Sequence, residues 1–219
     1  MPTENTGNAD FLRDVATHEL TIIRNEGLYR HLRFSRPGSS CMYFDLITWP
    51  GHLCYTGDMG TYVFQRTKDM LELFRRDSRE DLSINPGYWS EKVLAADGGR
   101  SPGCVFEYDH QKYLDAVLEY QGGWLEGLSE EHQAELKEAV WDDVLHWADE
   151  SDEHGNYQRV HEFDATVGGT NYQFTDFFER STRRFTDRYI WCCRALVWGI
   201  GKFDDAMPTG IDSEGGSHD

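Results

Sequence analysis

The densest group of residues able to do chemistry is a run of carboxylates between residues 107 and 153. That stretch holds 15 acidic and 2 basic residues, whereas residues 1–106 hold 14 and 12, and residues 154–219 hold 10 and 7. Most of the net charge of −18 therefore lies in about a fifth of the chain. Such a surface repels nucleic acid and anionic membranes, because phosphate binding depends on Lys and Arg, and it attracts cationic proteins.

Eight of these carboxylates are candidates for contact with a basic partner. Carboxylates repeated along a helix imitate the phosphate line of a duplex, and so offer a decoy to a protein that binds DNA through Lys and Arg. The alternative interpretation is a solvated helix face in an acidic protein. The eight candidates are Glu130, Glu131, Glu135, Glu138, Asp142, Asp143, Asp149 and Glu150.

A second group of polar residues suggests an alternative site for a small molecule. Asp45 and His52 are expected on one face of a sheet, with Asp58 in the next turn, and a histidine beside carboxylates can act in acid–base chemistry. Arg36 lies in a Ser-Arg-Pro-Gly loop whose groups can hold a phosphate. That loop lacks the Gly-x-x-x-x-Gly-Lys pattern, so a hairpin connection is the better interpretation. An ordinary surface pair likewise explains Asp45 and His52 more simply than catalysis does.

The remaining histidines and the cysteines form no recognisable metal or catalytic motif. His146, His154 and His161 fall near the acidic run without a His-x-x-x-His pair, and the five cysteines show no Cys-x-x-Cys spacing. The sequence has no Gly-x-Ser-x-Gly, Rossmann or His-Glu-x-x-His motif. We therefore expect no metal and no cofactor. No motif argues for an enzyme, although none excludes one.

The predicted strands and helices that carry the candidate residues indicate an α+β fold. Short apolar runs alternate with turn residues between residues 28 and 66, which predicts four antiparallel strands in a meander. A two-residue Pro50-Gly51 loop places Leu46 opposite Tyr55. The expected core-facing side of this sheet consists of Phe44, Leu46, Leu53, Tyr55, Tyr62 and Phe64.

Helical periodicity dominates the C-terminal two thirds of the chain. The most convincing helix is capped by Ser129, runs to about Glu150 and buries a stripe made by Leu136, Val140, Val144 and Trp147. A first helix is expected to begin at Asn8 or Asp10 and to bury one face that extends to Ile23. Other helices are expected over residues 68–76, 89–96, 109–120 and 185–203. Residues 157–175 are expected to hold one or two strands.

These patterns predict a small antiparallel β-meander packed against several α-helices, in one α+β domain over residues 10–205. Residues 1–9 are interpreted as a flexible N-terminus and residues 206–219 as a disordered tail. The polar N-terminal residues show no signal-peptide pattern, and no apolar run is long enough to cross a bilayer. The odd cysteine count favours a reducing compartment. We expect a cytoplasmic protein without membrane contact, and the sequence does not indicate its oligomeric state.

Three stretches carry a resemblance to a known group of proteins. The run from Gly27 to Gly51, its continuation from Tyr55 to Thr61, and the run from Arg188 to Ile200 resemble a family of uncharacterised accessory proteins of tailed phages and prophages. The likeness spans most of residues 10–205. It assigns no catalytic residues. The resemblance implies a phage accessory protein acting in the bacterial host cytoplasm, and genes of that kind often encode inhibitors of host defence, including anti-CRISPR proteins.

The charge pattern and the resemblance together favour a non-enzymatic binding or inhibitor protein. Its acidic surface would contact a basic host protein, with a nucleic-acid-binding defence component as the expected class and no direct contact with nucleic acid. Two alternatives stay open. One is an enzyme acting on a nucleotide or other small phosphorylated molecule, and the other is a phage structural or assembly factor.

Overall fold

Two compact units, each built around its own hydrophobic core, make up the protein. A computed structural model describes residues 4–78, 81–97 and 105–207. Unit 1 comprises Met1–Val105 and Phe185–Asp219, and unit 2 comprises Phe106–Arg184. Compactness does not establish independent folding, so the single α+β domain over residues 10–205 stays a prediction.

Unit 1 contains a six-stranded antiparallel sheet whose strands neighbour one another in sequence order, which confirms the predicted meander and the α+β class. The strands are β1 (Glu19–Glu26), β2 (Tyr29–Ser35), β3 (Phe44–Trp49), β4 (His52–Gly57), β5 (Gly60–Gln65) and β6 (Val93–Ala96). Leu46 pairs with Tyr55 across the two-residue Pro50-Gly51 loop, and Leu53 pairs with Phe64 across the turn between β4 and β5. All six expected core-facing side chains are at most 1% exposed, so the predicted orientation of the sheet is confirmed.

Four helices of unit 1 contribute to the same core as this sheet. They are α1 (Glu4–Asp14), α2 (Leu71–Phe74), α3 (Pro86–Ser90) and α7 (Asp187–Ala206). Helix α7 supplies ten buried residues and approaches the sheet closely at Gly199. A Cβ atom at that position would lie 3.2 Å from the Phe34 ring and 3.3 Å from Leu46, so glycine allows the close packing of helix on sheet.

Unit 2 is mainly helical and carries the acidic run. Its elements are β7 (Phe106–Tyr108), α4 (His110–Leu125), α5 (Glu130–Val140), a π-helical turn (Trp141–Leu145), α6 (Glu153–Glu162), β8 (Ala165–Val167), β9 (Thr170–Tyr172), a 3-10 turn (Phe177–Glu179) and β10 (Arg183–Phe185). Strands β8 and β9 form a hairpin, and β7 pairs with β10, whose last residue, Phe185, already belongs to unit 1. Within the described ranges, no helix combines the length and apolar character that a membrane-spanning segment requires.

Several predicted helix boundaries are wrong. Helix α1 begins at Glu4, upstream of both expected caps, and ends at Asp14. The apolar residues that follow form strand β1, because Leu20 and Ile22 pair with residues of β2. Residues 93–96, expected at the end of a helix, are a strand that pairs with β5. In both cases tertiary pairing overrides a short local pattern. Residues 157–175 hold the two strands β8 and β9, which confirms that prediction, although α6 extends to Glu162. Residues 208–219, most of the predicted tail, lie outside the described residues.

Candidate protein-binding surface

Helix α5 is anchored by its cap and by an apolar stripe. The Ser129 hydroxyl accepts a hydrogen bond from the backbone N–H of His132 at 3.3 Å, which confirms the predicted N-cap. Leu136, Val140 and Val144 are completely buried in the unit 2 core. These contacts fix which side of the helix faces solvent.

The eight candidate carboxylates are all exposed. We call this set, Glu130, Glu131, Glu135, Glu138, Asp142, Asp143, Asp149 and Glu150, the acidic surface. Glu131, Glu135 and Glu138 follow at intervals of four and three residues, so they share the face of α5 opposite its buried stripe. At 1.5 Å of rise per residue, these three extend over about 10 Å of helix.

The arginines of unit 2 leave the acidic surface unneutralised. Three of them form ion pairs with other carboxylates: Arg180 with Glu119 at 2.7 Å, Arg183 with Glu153 at 3.0 Å, and Arg184 with Glu107 at 2.7 Å. Among the described residues, none of the eight carboxylates belongs to an ion pair. Their negative charge therefore faces solvent.

The end of α5 departs from the α-helical prediction. A π-helical turn closes with a 2.8 Å hydrogen bond from the His146 N–H to the Trp141 carbonyl, and the helix does not extend to Glu150. The π-helical turn changes the angular phase of the residues that follow it. Trp147 was expected in the buried stripe, but it is 57% exposed, and Trp141 is 54% exposed. The prediction for Trp147 is wrong because it assumed an uninterrupted α-helix.

The segment after the π-helical turn is held by a buried amide. Asn156, which is 1% exposed, accepts a hydrogen bond from the Asp149 N–H at 3.0 Å and donates to the Asp149 carbonyl at 2.6 Å. It also donates to the Tyr108 hydroxyl at 2.7 Å. Asn156 thus ties residue 149 to α6 and β7. Sequence reasoning missed it, since a lone asparagine in a helical segment carries no signal of burial.

The Asp149 carboxylate is held by hydrogen bonds from a residue two positions along the chain. It accepts hydrogen bonds from the Ser151 hydroxyl at 2.6 Å and the Ser151 N–H at 2.7 Å. These bonds, the hydroxyl foremost, lower the pKa of Asp149 and keep it ionised near neutral pH.

The alternative small-molecule residues lie in separate local contacts. Asp45 is 4% exposed and accepts two hydrogen bonds from Arg33, both at 2.8 Å, while His31 Nε2 lies 3.0 Å from its Oδ2 atom. Burial opposes ionisation, but the hydrogen bonds from Arg33 and His31 outweigh it and lower the pKa of Asp45. Both partners were missed from sequence, although residues 31 and 33 are expected on the strand next to Asp45.

The other three residues of that predicted site are engaged elsewhere. His52 stacks on Trp49 with ring centroids 5.0 Å apart, and Asp58 accepts a 2.6 Å hydrogen bond from the N–H of Met42. Arg36 donates to the Thr17 hydroxyl at 2.8 Å. None of these hydrogen bonds or ring contacts joins any two of Arg36, Asp45, His52 and Asp58.

Two cavities were compared with the positions of these four residues. A cavity of about 310 Å³ is lined by residues such as Arg75 and Asp204, and one of about 350 Å³ by residues such as Tyr157 and Arg183. Neither includes any of the four predicted residues. In the part of the chain that the structure describes, no three His, Cys, Asp or Glu residues are grouped to hold a metal ion.

Comparisons with known proteins add no assignment. No family model, no curated protein and no solved structure matches the chain. The resemblance to phage accessory proteins therefore stays a prediction from sequence.

Proposed function

We propose that this protein is a non-enzymatic inhibitor or binding protein whose acidic surface docks on a basic, nucleic-acid-binding surface of another protein. The observation that carries the proposal is the set of eight exposed carboxylates without an ion-pair partner among the described residues. An unneutralised surface of this kind attracts Lys- and Arg-rich surfaces and competes with nucleic acid for them.

The carboxylates of the acidic surface also destabilise the helix that carries them, and keeping the helix hydrated does not require this cost. Glu131 and Glu135, and Glu138 and Asp142, are like-charged pairs four residues apart, a spacing that destabilises helices by about 0.2–0.5 kcal/mol per pair. Alternating the signs of the charges would keep the helix equally hydrated without this repulsion. The presence of carboxylates alone at these positions, despite the repulsion, supports a role in recognition.

The sequence resemblance supplies the biological setting of the proposal. We infer a phage accessory protein acting in the cytoplasm of the bacterial host, with a nucleic-acid-binding defence component as partner. The enzyme alternative has less support, because each of its four residues contacts groups outside that set.

Charge reversal tests the proposal in a bacterial lysate freed of nucleic acid. The tagged wild-type protein is compared with a variant that carries Lys at Glu131, Glu135, Glu138 and Asp142. A matched control carries Lys at four exposed glutamates outside the acidic surface: Glu19, Glu72, Glu126 and Glu179. Both variants change the net charge equally, so only the position of the change differs.

We expect the wild type and the control to retain the same basic, nucleic-acid-binding protein, and the acidic-surface variant to lose it. Retention should also fall steeply with salt, because exposed charges are screened within about 8 Å at physiological ionic strength. Equal retention by all three proteins would refute the proposal. So would loss from both variants, since it would show a dependence on net charge alone.

A further inference from the structure

Two exposed tryptophans lie beside the acidic surface. Trp141 is 54% and Trp147 is 57% exposed, which is uncommon for the largest aromatic side chain. The His146 ring joins them, because its centroid lies 6.0 Å from that of Trp141 and 4.9 Å from that of Trp147. We call these three rings the tryptophan platform.

The backbone beneath the tryptophan platform is fixed and not loosely hinged. The π-helical turn places the backbone of Trp141 and His146 in direct hydrogen-bond contact, and Val144 within that turn is completely buried. On the other side, Asn156 holds the backbone of Asp149 through two hydrogen bonds. The rings are therefore presented to solvent by supported backbone, which lowers the entropy lost on binding.

The surroundings of the platform favour a cation over a neutral apolar group. Asp142 and Asp143 directly follow Trp141, and Asp149 and Glu150 follow Trp147, all of them exposed. The guanidinium carbon of Arg159 lies 5.7 Å from the centre of the Trp147 ring, so a guanidinium already makes a cation–π contact with this indole within the molecule. Aromatic faces with exposed carboxylates close to them in the chain offer both the cation–π contact and the ionic bonding that such a group requires.

We propose that the tryptophan platform binds an arginine side chain of the partner. The guanidinium stacks on an exposed indole face and donates hydrogen bonds to a flanking carboxylate. Arginine is preferred over lysine because its planar group stacks on aromatic rings and is less strongly hydrated. This inference rests on the proposed function, since it identifies the partner residue that the acidic surface recognises.

Binding of two fluorescent peptides, octa-arginine and octa-lysine, tests the inference at low salt. The proteins are the wild type, Trp141→Ala/Trp147→Ala, and the control Phe178→Ala, whose ring is 74% exposed elsewhere in unit 2. Trp141→Phe/Trp147→Phe serves as a second variant that keeps the aromatic bulk. Thermal unfolding of each variant shows whether it is folded. Truncating exposed side chains should leave that transition nearly unchanged.

We expect the wild type to bind octa-arginine about tenfold more tightly than octa-lysine, as one or two cation–π contacts allow. The alanine double variant should lose this preference, the phenylalanine variant should keep part of it, and Phe178→Ala should keep all of it. Affinity for octa-lysine should change little in every variant.

The inference fails if the wild type binds both peptides equally, or if the alanine double variant keeps its preference for arginine. In either case, binding that is still abolished by charge reversal of the acidic surface leaves the proposed function standing. Failure of the wild type to bind either peptide at low salt overturns both.

Discussion

Neutralising the carboxylates around the C-terminal end of α5 should stabilise the protein while weakening partner binding. In Glu138→Gln/Asp142→Asn/Asp143→Asn, all three positions are exposed. Glu138 and Asp142 repel each other across one helical turn, which costs about 0.2–0.5 kcal/mol. Asp142 and Asp143 also face the negative end of the helix dipole, at about 0.3–1 kcal/mol each. Removing these terms should stabilise the fold by about 1–2 kcal/mol.

Thermal unfolding followed by circular dichroism measures this gain. In 20 mM salt the midpoint should rise by roughly 3–6 °C, given about 2–4 °C per kcal/mol for a chain of this size. In 0.5 M salt the gain should shrink, because exposed charges are then screened. Glu130→Gln/Glu131→Gln is the matched control, and it should lower the unfolding midpoint, since carboxylates are favourable at the N-terminus of a helix. An unchanged or lower midpoint of the triple variant at low salt would show that these carboxylates have stabilising contacts and are not free for a partner.

Three further predictions concern the elements that support the surface. Asn156→Leu should lower the free energy of unfolding by about 2–4 kcal/mol, measured by urea unfolding, because it removes the three hydrogen bonds that tie Asp149 and Tyr108 to α6. Because the folded-state pKa of Asp45 is lowered, this carboxylate contributes stability that is complete above the ordinary pKa of 3.8 and is lost as the pH falls through the folded-state pKa. Asp45→Asn should therefore reduce the loss of unfolding free energy at acidic pH, and an unchanged dependence on pH would contradict this. Gly199→Ala should not give the roughly 1 kcal/mol that alanine normally gains over glycine within a helix, because the added Cβ would lie 3.2 Å from the buried Phe34 ring; a melting midpoint raised by that full amount would disprove this.

Local sequence patterns predict the structure correctly where it depends on residues that are close together in the chain. The two-residue loop at Pro50-Gly51 sets the pairing of Leu46 with Tyr55, and period-two alternation then determines which side chains are buried. Ser129 marks the start of α5 for the same reason, since a cap acts within three residues.

Features that depend on distant residues could not be predicted from the sequence. Strand β1 is defined by its pairing with β2, although its residues also fit a helical period. Asn156 is buried because Tyr108 and Asp149 approach it, and neither contact has a local signature. The exposure of Trp147 follows from the π-helical turn, whose residues look α-helical in sequence. The tryptophan platform was hidden for that reason, whereas the acidic surface was visible from charge alone.

Competition with duplex DNA for the captured partner tests the central claim most directly. The partner is loaded with a labelled duplex, and the protein is titrated in while release of the duplex is followed by fluorescence anisotropy. Binding through the acidic surface predicts complete, mutually exclusive displacement, which is lost when Glu131, Glu135, Glu138 and Asp142 are changed to Lys. A stable ternary complex of partner, duplex and protein would contradict the claim.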